Sequence, residues 1–162
     1  DEIKQKSKLQ QLQPLLIIFL YISIASILMH SKNPDINAIM LDFMGLFFIA
    51  FSFFKMLDLK GFTESFSMYD PLAKVIPVYG RIYPFIEISL GLMFLMRVKI
   101  NVAVIITLVI LGITTIGVIK TLLDKKSIQC ACLGTTLKLP MTEATLIENA
   151  IMITMAIIIL FA

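Results

Sequence analysis

Five long apolar runs, with little between them, constrain this chain more than any other feature. They fall at Pro14–Met29, Ile39–Leu57, Ile82–Met96, Val102–Leu123 and Ala144–Ala162, each bounded by charge, Pro or Asn. A helix crosses a bilayer core of about 30 Å with about 20 apolar residues. The first and third runs, at about 15 residues or about 22 Å of helix, need flanking residues or local thinning to do so. Composition points the same way. The chain is 59% hydrophobic and 15% charged, with a mean hydropathy of +0.95, where a soluble domain has about 45–50% and about 25%. The expected fold class is all-α, a polytopic membrane helical bundle in contact with the lipid bilayer. A sizeable soluble domain, a disordered tail and a nucleic-acid partner are excluded despite the net charge of +3. The expected organisation is a cytoplasmic segment over residues 1–13 and one bundle over 14–162. No small-residue cleavage pattern follows the first run, which therefore reads as a span rather than a signal peptide.

Orientation follows from the basic residues, because cytoplasmic loops carry the excess of Lys and Arg. Lys4, Lys6 and Lys8 precede the first run. Lys55, Lys60, Lys74 and Arg81 lie between the second and third, and Lys120, Lys125, Lys126 and Lys138 between the fourth and fifth, so 3 + 4 + 4 = 11 share one side. The other side has three, Lys32, Arg97 and Lys99. Eleven against three predicts a cytoplasmic N-terminus and a periplasmic C-terminus. The substantial loops, 58–81 and 124–141, then face the cytoplasm.

The only two cysteines, Cys130 and Cys132, stand one residue apart in the second of these loops. No disulfide framework exists, but such a pair can chelate one soft ion or cycle between dithiol and disulfide. A ring closed across one residue is tight, and strained bridges are the more oxidising ones. Lys125 and Lys126 upstream favour thiolate if they lie close, and Gly134 frees the backbone. The bland alternative is that buried Cys packs as a small hydrophobe.

Ionisable residues within the runs are the second signal. Asp42, Glu87 and Glu148 are costly in a membrane, so each is expected to face the bundle interior and to have a partner. Glu87 lies too deep for a short carboxylate to reach water and is expected to be protonated or paired. Lys55 and Asp58, near the cytoplasmic end, read instead as interfacial anchors. The 58–81 loop carries Pro71, Pro77 and several aromatics, which suits short amphipathic helices lying on the membrane. Tyr69, Tyr79 and Tyr83 suit the headgroup layer, and Pro84 suits the first turn of the third span. His30, the only histidine, is a poor metal ligand alone, and the methionines read as packing. Gly91, Gly112 and Gly117, with Thr115, offer small faces for close helix contact. No nucleotide loop, catalytic triad or histidine cluster is present, which argues against hydrolase or ATPase chemistry and leaves it open whether the chain is an enzyme.

Phe51-Ser-Phe-Phe-Lys55, Met68-Tyr-Asp-Pro71, Tyr83-Pro-Phe-Ile-Glu87 with Leu90-Gly91, and Cys130-Ala-Cys-Leu-Gly134 before Leu139-Pro-Met141 occur in that order. Together they resemble the MauE/DoxX family of redox-associated membrane proteins, especially members with an upstream heavy-metal-associated domain. The resemblance spans about Ile39 to Ala162. It implies a four-helix core in the bacterial inner membrane, to which the first span is an addition. It makes Cys130 and Cys132 the thiol centre, and Lys55, Tyr69, Asp70 and Glu87 the polar residues of the pattern. The MauE branch implies maturation of methylamine dehydrogenase, whose small subunit needs disulfides. The DoxX branch implies quinone-linked thiosulfate oxidation, and the fused members imply Cu(I) or Hg(II) handling. Three readings stay open: a thiol redox protein exchanging with a partner, a soft-metal carrier, and a non-catalytic assembly factor. Disulfide maturation belongs to the oxidising periplasmic side, whereas the charge count puts both thiols on the reducing side. That weakens the disulfide-donor version rather than the topology.

Overall fold

The computed structural model describes residues 13–123 and 141–162, and among these every regular element is a helix. They are α1 (Gln13–Met29), α2 (Ile36–Leu57), α3 (Leu59–Tyr69), α4 (Pro71–Val75), α5 (Pro77–Met96), α6 (Ile100–Leu123) and α7 (Met141–Leu160). By length and composition α2, α5 and α6 can each cross a bilayer, while α1 and Thr145–Leu160 of α7 are shorter apolar helices. The outward faces are apolar as well. Leu20, Ile27, Val109 and Ile116 are exposed, as expected of a surface solvated by lipid rather than water.

Short polar signals start the helices. Asp35 caps α2 by accepting from the Asn37 amide at 3.1 Å, and Asp58 caps α3 by accepting from Gly61 at 3.0 Å. Asp70 caps α4 by accepting from Ala73 at 2.9 Å, with Pro71 at the first helical position. The third span is longer than its apolar run. Pro77, not Pro84, opens α5, and Pro84 lies inside the helix. At 20 residues α5 is about 30 Å long, so no local thinning is needed there. Arg97 ends it in the left-handed conformation (φ 57°), its amide returning to the Met93 and Phe94 carbonyls.

The core is α2, α5, α6 and α7, with α1 packed outside against α2 and α3–α4 closing one end. Phe19 of α1 stacks among Phe43, Phe47 and Phe51 of α2. Where α2 meets α5 the two helices touch through glycines. A Cβ on Gly91 would stand 2.9 Å from the Gly45 carbonyl oxygen, and one on Gly45 would stand 2.9 Å from that of Gly91. The expected small face at Gly91 therefore has a counterpart, Gly45, on the facing helix.

The 59–69 segment is helical, as an amphipathic reading expects, but its aromatic face is turned to protein. Phe62 and Phe66 of α3 stack on each other at 5.0 Å, and Phe66 meets Tyr83 of α5 at 4.6 Å. Tyr69, Tyr79 and Tyr83 are buried in this stack rather than held at headgroup depth. Ring-on-ring packing between α3 and α5 supplies the contacts that lipid would otherwise make.

Candidate functional site

Two ionic clusters lie at different depths along α2. The first joins Asp42 to His30 and Arg97. His30 Nε2 lies 2.5 Å from Asp42 Oδ2, and Arg97 Nη1 donates to Asp42 Oδ1 at 2.9 Å. Arg97 also donates to the Phe94 carbonyl at 2.6 Å, so this cluster ties the α5–α6 turn to the start of α2. His30, unpromising as a metal ligand, serves here as a carboxylate partner.

The second cluster is the candidate site. It begins at Lys55, about 20 Å further along α2 at 1.5 Å per residue. Lys55 is only 7% exposed, and its Nζ donates to Glu87 Oε1 of α5. This corrects the expectation of an interfacial anchor. Helical side chains lean toward the helix N-terminus, so a lysine in the last turn of α2 can reach back into the bundle, and the buried Glu87 carboxylate holds it there. Its ammonium also lies over two rings, 4.9 Å from the Tyr83 centroid and 5.5 Å from that of Phe62. Glu87 is thus paired. Glu148 of α7 is the third member, 2% exposed, with no hydrogen-bond partner for Oε1 among the described residues.

These groups line a cavity of about 20 Å³, together with Tyr69, Thr114, Thr145 and Asn149, and phenylalanines of α2 and α3 form its apolar wall. The volume is enough for about one water. Asn149 donates to Thr115 Oγ1 at 3.2 Å and joins α7 to α6. Among the described residues no group of three His, Cys, Asp or Glu side chains is arranged to hold a metal ion.

Of the residues singled out from sequence, Lys55, Glu87 and Glu148 come together, with Tyr69 on the same cavity. Asp42 belongs to the other cluster. Asp58 caps α3. Cys130 and Cys132 lie outside the described residues, as do Lys125 and Lys126. Sequence reasoning missed Thr114 and Asn149. The available signal was a polar side chain inside an otherwise apolar span, which is costly unless it is satisfied.

Asp70 stands at the edge of the site, fully buried, with Oδ2 2.6 Å from Thr114 Oγ1. Burial pushes its carboxyl above the ordinary value of 3.8, against hydrogen bonds from Thr114 and from the Ala73 and Leu72 amides that pull it down. The unfolded chain therefore ionises this group first. Its contribution to stability is full below about pH 4 and is lost as pH rises through the folded pKa. Asp70→Asn keeps a capping oxygen and removes the titration. Thermal unfolding in detergent should show the variant gaining on the native protein as pH rises from about 4 to about 7. A constant offset at every pH would refute this.

Helices apolar on their outer faces, with Asp42, Glu87 and Glu148 buried between them, define a multi-pass helical membrane protein. The chain matches the family model described as Methylamine utilisation protein MauE over residues 33–162, and it belongs to that family. The matched region takes in α2 to α7 and leaves α1 outside, in keeping with a four-helix core and an added first helix. No curated protein and no solved structure gives a significant match.

Proposed function

We propose that the protein is an inner-membrane thiol protein in which Cys130 and Cys132 cycle between dithiol and disulfide and so support maturation of a partner protein. The observation that carries this reading is the MauE match. It extends over residues 33–162, a span in which both the cysteine pair and the helices of the buried cluster fall. In the exchange, a thiolate of the pair attacks a partner disulfide. The second thiol then displaces the first partner sulfur, leaving a Cys130–Cys132 disulfide and two partner thiols, with both electrons passed to the partner. The reverse reaction oxidises a partner dithiol. Charge supports an orientation with the N-terminus and the cysteine loop cytoplasmic and the C-terminus periplasmic. Lys55 is buried in an ion pair and drops from the count, and 11 − 1 leaves ten against three.

Thiol trapping tests the reading and the orientation together. The reduced protein should take two alkyl groups and the oxidised protein none. An impermeant maleimide should label Cys130 and Cys132 only after lysis. Ser at either position should abolish partner maturation. Maturation that survives both Ser variants would leave only the assembly-factor reading. Retention of Cu(I) or Hg(II) by the reduced protein, with no disulfide formed in the cell, would move the same thiols to metal carriage for a metal-binding partner domain.

A further inference from the structure

The buried cluster holds one cation and two carboxylates, and the cation is taken by Glu87. Glu148 is left as a buried carboxyl whose Oε1 has no partner, lining a cavity with room for one water. An ionised carboxylate in that position is strongly disfavoured, and neutralisation is the cheap remedy. With one proton bound, the cluster is electrically neutral. Other titratable or charged groups face it from each packed element among the described residues. Lys55 comes from α2, Tyr69 from α3, and Asp70 from the α3–α4 junction. Tyr79, Tyr83 and Glu87 come from α5, while α6 presents the uncharged Thr114.

A second observation gives this proton a way out. Thr114 has a single O–H, yet its Oγ1 lies 2.6 Å from Asp70 Oδ2 and 3.0 Å from the Ile110 carbonyl. The hydroxyl therefore sits between two acceptors and donates to one at a time, so it can turn its proton to Asp70. Thr114 also lines the cavity that Glu148 faces. A line of hydrogen-bonding groups therefore runs from the α3–α4 junction to the middle of the bundle.

We infer that Lys55, Glu87 and Glu148 form a one-proton binding site inside the bundle, loaded and unloaded through Thr114 and Asp70. On release the Glu148 O–H bond breaks, the proton passes by way of the cavity to Asp70 and then to bulk, and the cluster goes from neutral to one negative charge. No electron moves. Neither cysteine takes part, so the inference stands or falls apart from the thiol reading.

The test is infrared spectroscopy of the full chain in lipid vesicles, in an Asp70→Asn background so that Asp70 adds no signal. At neutral pH the native cluster should give the carbonyl stretch of one neutral carboxylic acid. Glu148→Gln should remove it, and Lys55→Met should double it by forcing a proton onto Glu87 as well. With Asp70 restored, Thr114→Val should slow deuteration of the band several-fold, while Thr114→Ser should leave the rate unchanged. A band that survives Glu148→Gln, or an exchange rate indifferent to Thr114→Val, overturns the inference. So does a Glu148→Gln protein that fails to fold, because Gln reproduces the neutral state.

Discussion

Replacing Lys55 by Met should lower the stability of the folded bundle by about 3–5 kcal/mol, and a second replacement, Glu87→Leu, should recover most of that loss. The first figure is the usual result of removing one partner from a buried ion pair. Lys55 and Glu87 are both buried, so the carboxylate left behind has no water to turn to. The recovery follows because an apolar pair of similar volume is often as stable as the ion pair it replaces. Here the surroundings favour that outcome, since Phe51, Phe62 and Tyr83 line the same space. Glu87→Leu alone should cost less than Lys55→Met alone. Glu148 lies on the same cavity and can ionise to take over the lysine, a substitute that the lysine itself does not have. Denaturant unfolding in detergent across the four proteins of the cycle reads the coupling directly. Additive losses would mean that the two side chains do not act as a pair. Added salt should leave the coupling unchanged, because a pair this deep is poorly screened.

The parts of this molecule that sequence made legible are those that repeat locally. The apolar runs announce helices, because that signal is carried by neighbouring residues. Contacts between distant residues carry no such mark. Lys55 and Glu87 are 32 positions apart, and nothing in either segment says which way the lysine bends. Snorkelling to the interface and reaching into the bundle use the same flexible stem. The presence of a buried carboxylate decides between them, not the position of the lysine in its helix. The aromatic residues of α3 illustrate the same limit. A face made of Phe62, Phe66 and Tyr69 reads identically whether it meets lipid or Tyr83. Intramembrane carboxylates were the most informative single feature, since their cost turns them to the bundle interior, where Asp42 and Glu87 are paired.

Glycine substitutions on α6 should separate sharply, although in sequence Gly112 and Gly117 look alike. A Cβ at Gly112 meets nothing within 4 Å. Gly112→Ala should therefore stabilise by about 0.5–1 kcal/mol through helix propensity alone. A Cβ at Gly117 would stand 1.9 Å from the Tyr69 carbonyl oxygen and 2.8 Å from Pro71 Cδ. The nearest atom is backbone, so no side-chain rotation relieves the clash and α6 must move off the α3–α4 junction. Gly117→Ala should cost at least about 3 kcal/mol, the upper part of the range for overpacking, and thermal unfolding should shift in opposite directions for the two variants. The displacement carries a chemical consequence too. Thr114 lies one turn before Gly117 on the same helix face, and its bond to Asp70 depends on the approach that Gly117 permits. A helix pushed outward admits water to Asp70, so its carboxyl returns toward the ordinary aspartate range and the pH dependence of stability flattens. If Gly117→Ala loses stability but keeps the pH dependence of the native protein, close packing at Gly117 is not what holds Asp70 out of water.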